Sequence, residues 1–239
     1  MTSAGKASPL SPDTDTARRG HFQVSQANPW GCTPCFCYGH TEQCQARPRM
    51  VASKVLSDFS RGPEDWVAEE AGRPSTSSYN AYQQLVSVRG GSEPAYFLAP
   101  PPFLGGRLTS YGQRLSFRLR LGGEVAGASP GPLDLVLEGG TPLPLRVATS
   151  ITSQGNPLPT DKLQEYSFRL HEQAGWTPQL TAMQLLSLLA NVTAVRIRGS
   201  YAPGGRGYLD QVELEGAEPG FQGQPADWVE QCSCPAGQS

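Results

Sequence analysis

Between Leu85 and Leu214 the chain alternates apolar and polar residues in short bursts separated by glycine. The clearest burst is Leu115-Ser116-Phe117-Arg118-Leu119-Arg120-Leu121. A strand puts its leucines and phenylalanine on one face and its serine and arginines on the other. Leu133, Leu135 and Leu137 repeat the device, as do Leu143, Leu145 and Val147, then Tyr166, Phe168 and Leu170. Val195 and Ile197 alternate with Arg196 and Arg198, and Tyr208 to Leu214 closes the series. Leu85–Arg89 and Tyr96–Leu98 are earlier candidates. Between them stand Gly90-Gly91, Gly105-Gly106, Gly122-Gly123, Gly139-Gly140 and Gly204-Gly205, and paired glycines supply the positive φ that closes strand ends. Short strands with one polar face, spaced by turns, predict an antiparallel β-sandwich whose arginine-rich faces meet water. One stretch departs from this period. Thr177 can cap, Pro178 suits a first helical position, and Gln179–Ala190 predicts a helix with Leu185, Leu186 and Leu189 toward the core.

Composition narrows the class. The 239 residues include 27 Gly and 22 Pro, and only 17% are charged, where about 25% is usual. A turn-dense, compact protein fits, and long helices and coiled coils do not. The net charge of −2 and the scatter of 16 Arg and 3 Lys, with no run longer than Arg18-Arg19, argue against binding a nucleic-acid backbone. No stretch approaches the roughly 20 apolar residues of a membrane helix. Met1 to Gly20 is polar and rich in Pro, Ser and Thr, which predicts a disordered leader without a signal-peptide core.

Six cysteines cluster at the two ends: Cys32, Cys35, Cys37 and Cys44, then Cys232 and Cys234. Two readings follow, a disulfide framework or a metal knuckle. Cys32, Cys35, His40 and Cys44 could hold zinc, but the Cys-x-Cys spacings and the distant second pair fit that poorly and favour disulfides in an oxidising compartment. Asn191-Val192-Thr193 is a glycosylation sequon, placed between helix and strand, and it gains weight beside those cysteines.

Little else suggests chemistry. The histidines are His21, His40 and His171, and no His-Glu-x-x-His occurs. Pro203-Gly204-Gly205-Arg206-Gly207 lacks the ending of a phosphate loop and reads as a hairpin turn, and Glu69-Glu70 reads as a solvated corner. No enzyme, cofactor or metal is expected. Trp30, Trp66, Trp176 and Trp228 could form a sugar-stacking platform on a jelly roll, which makes a carbohydrate-binding module the alternative, although single aromatics near strand ends are commonly core plugs.

The cysteine edges carry a resemblance. Gly31-Cys32-Thr33-Pro34-Cys35-Phe36-Cys37-Tyr38-Gly39-His40, running on to Cys44, resembles the junction between two laminin-type EGF repeats. Trp228-Val229-Glu230-Gln231-Cys232-Ser233-Cys234-Pro235-Ala236-Gly237 resembles the resumption of the second. Between them, Tyr96-Phe97-Leu98-Ala99-Pro100, Phe103-Leu104-Gly105, Ser110-Tyr111-Gly112-Gln113, Leu135-Val136-Leu137-Glu138-Gly139, Phe168-Arg169-Leu170-His171-Glu172, Leu189-Ala190-Asn191-Val192-Thr193 and Gly207-Tyr208-Leu209-Asp210 resemble the laminin IV type A module. The similarity runs from about His21 to Gly237 and is greatest to gamma-type laminin chains; laminin alpha chains and perlecan carry related modules.

The resemblance implies a mainly β fold, a jelly-roll-like antiparallel β-sandwich with one short helix, flanked by partial disulfide-rich EGF-like repeats. It divides the chain into a leader at 1–20, EGF fragments at 21–49, the module at 50–229 and a resumed EGF fragment at 230–239. It also implies the pairs Cys35–Cys44 and Cys37–Cys232, and leaves Cys32 and Cys234 unpaired or without partners in this chain. The implied role is a non-enzymatic module of a laminin short arm, secreted into extracellular matrix and basement membrane, contributing to cell adhesion and tissue development. Its partners would be other laminin chains and matrix proteins through the full-length subunit, with cell-surface receptors beyond them. Without a signal peptide the chain is expected to be a fragment or short isoform.

Overall fold

A computed structural model describes residues 21–22, 33–123 and 128–233. The expected leader, Trp30, Cys32 and Cys234 lie outside the described residues. At the cysteine edge, β1 (His21–Phe22) pairs with β2 (Thr33–Pro34), and β3 (Cys44–Ala46) follows. Then come β4 (Met50–Ser57), β5 (Val67–Glu70), β6 (Arg73–Ser75), β7 (Ser77–Asn80), β8 (Leu85–Arg89) and β9 (Ala95–Leu98). β10 (Arg114–Gly122), β11 (Leu135–Gly139), β12 (Leu145–Thr149) and β13 (Gln164–Arg169) precede helix α1 (Ala182–Ala190). After it come β14 (Val192–Arg198), β15 (Arg206–Pro219) and β16 (Glu230–Cys232).

Two six-stranded antiparallel sheets form the sandwich. One runs β13-β10-β15-β8-β7, with β4 beside the far half of β15; the other runs β12-β11-β14-β9-β5-β6. From β9 onward the chain passes repeatedly from one sheet to the other, and among the described residues β11–β12 is the one adjacent hairpin of that stretch. The inner faces are those the alternation marks: Leu115, Phe117, Leu119 and Leu121 of β10 meet Leu135, Leu137, Val195 and Ile197 across the core. Phe117 stacks between Tyr166 and Phe168 of β13, each ring centre 5.7 Å away. Removing such a ring typically costs about 3–5 kcal/mol.

The departures from simple alternation have local causes. Leu133 and Leu143 are exposed, because β11 and β12 begin two residues later and Leu143 lies between those strands. In β15 the apolar spacing slips between Leu209 and Val212. There Gln211 takes a left-handed φ of 46° and the register to β10 shifts, a β-bulge. The paired glycines serve two purposes. Gly140 has φ 103°, and its N–H donates to Asn191 O. Gly90 instead allows close approach: a Cβ there would lie 2.3 Å from Ser200 Oγ.

The helix is shorter than expected. Its cap is Thr181, not Thr177, in a capping box: Thr181 Oγ1 accepts from Gln184 N at 3.2 Å, and Gln184 Oε1 accepts from Thr181 N at 2.9 Å. Thr177 is drawn away by the sheet, exchanging two 2.8 Å backbone hydrogen bonds with Ala148 at the edge of β12. Leu188 joins Leu185, Leu186 and Leu189 in the core.

The two ends of the sandwich converge. β3 pairs with β16, Arg47 N donates to Val229 O, and Ala226 N donates to Met50 O. Ala52 N then donates to Gln224 O. Residues 43–52 and 224–233 thus form an antiparallel ribbon that leads into β4.

Candidate functional site

The ribbon's outer end holds the cysteines. Cys35 is bonded to Cys44, and Cys37 to Cys232 across a sequence separation of 195 residues. The bonds lie side by side: Phe22, Cys35 and Cys37 are buried together, with Cys44, Ala46 and Trp228 packed against them. Cys32 and Cys234 fall outside the described residues. His40, a member of the zinc alternative, is exposed, while Cys35 and Cys44 spend their sulfurs on each other. Cys37, Glu230 and Cys232 offer ligand atoms within 4.8 Å of one another, but the two sulfurs are likewise joined.

Glu230 organises this end. Its Oε2 accepts from Phe36 N at 2.7 Å and its Oε1 from Cys37 N at 3.0 Å. Sequence reasoning missed it, since one glutamate beside a cysteine carries no signal of its own. Inward along the ribbon, Trp228 donates its ring N–H to Thr109 O at 2.8 Å and fixes the ribbon to the turn before β10. A cleft of about 340 Å³ lies between ribbon and sandwich, bordered by Tyr38, Arg47, Leu108, Leu186, Trp228 and Glu230.

The described tryptophans act as plugs. Trp66 donates to Ser57 Oγ and Trp176 to Arg169 O, both at 2.9 Å and both deeply buried. With Trp228 half-buried and bonded, the three form no shared stacking face. A second recess, about 420 Å³, lies on the outer face of the first sheet over the β15 bulge. Its polar groups are tied to one another: Arg114 Nη1 donates to Ser167 Oγ at 2.9 Å, and Arg114 N to Glu215 Oε2 at 3.0 Å.

Two buried titratable groups lie elsewhere. Asp134 is fully buried and accepts from Ile151 N at 2.9 Å, and from Gly131 N and Arg198 Nη1 at 3.0 Å each. Burial pushes its carboxyl above the usual range, against the pull of those donors. His171 is buried with Tyr111 and Glu172, and Tyr111 donates its hydroxyl to Glu172 Oε2 at 2.7 Å. Burial holds the imidazole below its ordinary value; Arg169 adds to this and Glu172 opposes it. Asn191 is exposed just after α1, its Nδ2 donating to Thr141 Oγ1 at 3.2 Å, and Thr193 is exposed two residues on.

Residues 96–230 match the family model described as Laminin B (Domain IV). Human laminin subunit gamma-2 is 38% identical over 227 residues, covering 93% of this chain and 18% of that protein. Human laminin subunit gamma-3 is also 38% identical, over 222 residues, covering 90% of this chain and 14% of that protein. Identity therefore separates neither, and the chain spans less than a fifth of either relative. Among solved structures, the L4b domain of human laminin alpha-2 superposes with a TM-score of 0.56 at 14% identity, covering 68% of this chain and 96% of that one. That likeness is one of fold.

Proposed function

Since the chain belongs to the Laminin B (Domain IV) family, with gamma-type laminin subunits as its relatives, we propose that it is a non-enzymatic spacer module inserted into an EGF-like repeat of a laminin short arm. One observation carries this: both ends of the sandwich return to a single ribbon closed by Cys37 and Cys232, the geometry of a domain inserted between two cysteines of a smaller unit. The corresponding division places EGF fragments at 21–49 and 230–239 around a module at 50–229, with a leader at 1–20. In this reading the protein is secreted into extracellular matrix and basement membrane. It contributes to cell adhesion and tissue development through the full-length subunit, whose partners are other laminin chains, matrix proteins and cell-surface receptors. Asn191 carries an N-linked glycan; its exposure and that of Thr193 support this.

Peptide mapping under non-reducing conditions, on protein secreted from cultured cells, tests the reading. The expected digest contains Cys35–Cys44 and Cys37–Cys232 peptides, and Asn191 shifts in mass on glycosidase treatment. An unbridged Cys37 and Cys232 in secreted material would overturn the insertion reading.

A further inference from the structure

The sharpest unexplained geometry is at Phe36–Tyr38. Phe36 is right-handed (φ −86°, ψ −53°), whereas Cys37 and Tyr38 take left-handed φ values of 38° and 50°, although neither is glycine. A right-handed residue followed by a left-handed one turns successive backbone N–H groups toward a common point, a concavity that binds anions. Here the anion is supplied by the chain itself, since the Glu230 carboxylate accepts from the N–H groups of both Phe36 and Cys37. Glu230 and Cys232 are alternate residues of β16, so one strand face presents both. The carboxylate seats in the concavity while the sulfur meets Cys37. Glu230 Oε2 lies 3.8 Å from Cys37 Sγ.

We propose that Glu230 is the positioning residue of the Cys37–Cys232 bond and its electrostatic guard against thiol exchange; this rests on the insertion reading above. Cys37 is deeply buried and Cys232 exposed, so a thiolate reaches the bond from the Cys232 side. The incoming thiolate bonds to Cys232 Sγ, the Cys37–Cys232 bond breaks, and its electron pair leaves on Cys37 Sγ. That new thiolate forms beside the Glu230 carboxylate. Like charges this close, half out of water, raise the energy of the leaving group, and a poorer leaving group slows exchange. In full reduction by a dithiol, the reagent's second thiolate then attacks the mixed disulfide and releases Cys232 as a thiolate. The bond gains two electrons and the dithiol closes to a disulfide.

The test uses the secreted chain, its bridges first mapped, exposed to dithiothreitol and quenched by alkylation at intervals. Opening of each bridge is followed by mass in wild type, Glu230→Gln and Glu230→Asp. Glu230→Gln keeps an acceptor for the backbone and loses the charge, so Cys37–Cys232 should open about tenfold faster. Added salt should shrink that difference, and Cys35–Cys44 should keep its rate as an internal control. Glu230→Asp, which restores the charge, should return the rate toward wild type. Equal rates in wild type and Glu230→Gln would overturn the proposal, as would parallel acceleration of both bridges, the mark of general loosening. Absence of the Cys37–Cys232 bridge at the mapping step would overturn the insertion reading, and the guard with it.

Discussion

Asp134 stands between two leucines of an alternating run, where the pattern reads it as a solvated side chain. The fold buries it instead, because the segment before β11 turns inward to meet the loop after β12. Its carboxylate bonds Gly131 N, Ile151 N and Arg198 Nη1 together. Removing one partner of a buried ion pair leaves the other uncompensated, so Asp134→Ala should cost about 3–5 kcal/mol in urea unfolding at neutral pH. A loss under about 1 kcal/mol would show that Arg198 finds water instead. His171 makes a pH prediction. Its folded pKa lies below the ordinary 6.5, so the unfolded chain takes up the proton first as pH falls. The stability it supports is present above about pH 6.5 and declines as pH drops from there toward the lower folded value. Thermal midpoints of wild type should therefore fall relative to His171→Gln between pH 7.5 and 5.5, roughly the window in which the unfolded imidazole charges. Parallel curves would remove His171 as the cause. Neither residue could be singled out from its neighbours in sequence, since burial of a polar group is decided by what the folded chain brings over it.

At the scale of elements, much more was legible. β10, β13 and β14 from Val195 onward follow strict alternation, so their inner faces could be read directly, whereas the bulge in β15 interrupts a run that the pattern reads as continuous. The helix was recognised by composition but misplaced at its start. Thr177 and Thr181 both fit a cap, and the choice falls to tertiary structure, because β12 needs a partner at Ala148 and takes Thr177. Thr181→Ala should therefore destabilise by about 1 kcal/mol in chemical unfolding, the usual effect of losing a cap. Thr177→Ala should stay within about 0.5 kcal/mol, since its bonds are those of the backbone. The reverse order would mean that the helix starts earlier in solution. The free side of β13 was not legible at all. There Asn156 stands in for a neighbouring strand, its Oδ1 accepting from Ser167 N at 3.0 Å and its Nδ2 donating to Ser167 O at 3.1 Å. Gln154 Oε1 accepts from Arg169 N nearby at 2.8 Å. Side-chain amides thus occupy backbone groups that could otherwise pair with another chain.

For the whole molecule, the sandwich has a core of its own and the cysteines close only the ribbon outside it. The spacing of those cysteines left disulfide and zinc readings open; the pairing itself came from resemblance. Glu230 was hidden because its role depends on a turn nearly two hundred residues away. Cys37→Ser should lower stability by about 2–5 kcal/mol, the usual cost of removing a native bridge, while the sandwich still folds. Calorimetry of mutant and wild type, with circular dichroism of the mutant, checks both halves. Equal melting would show that the bond contributes nothing, and loss of the β signal would show that the core depends on it.

The closed ribbon also fixes how the protein carries tension. Pulled from either side of the junction, the chain passes force from Cys37 to Cys232 between Cα atoms 5.7 Å apart. The 195-residue separation between them, roughly 640–700 Å if fully extended, stays slack. A chain closed this way can be strained without unravelling its sandwich, whose stored length is released only when that one bond opens.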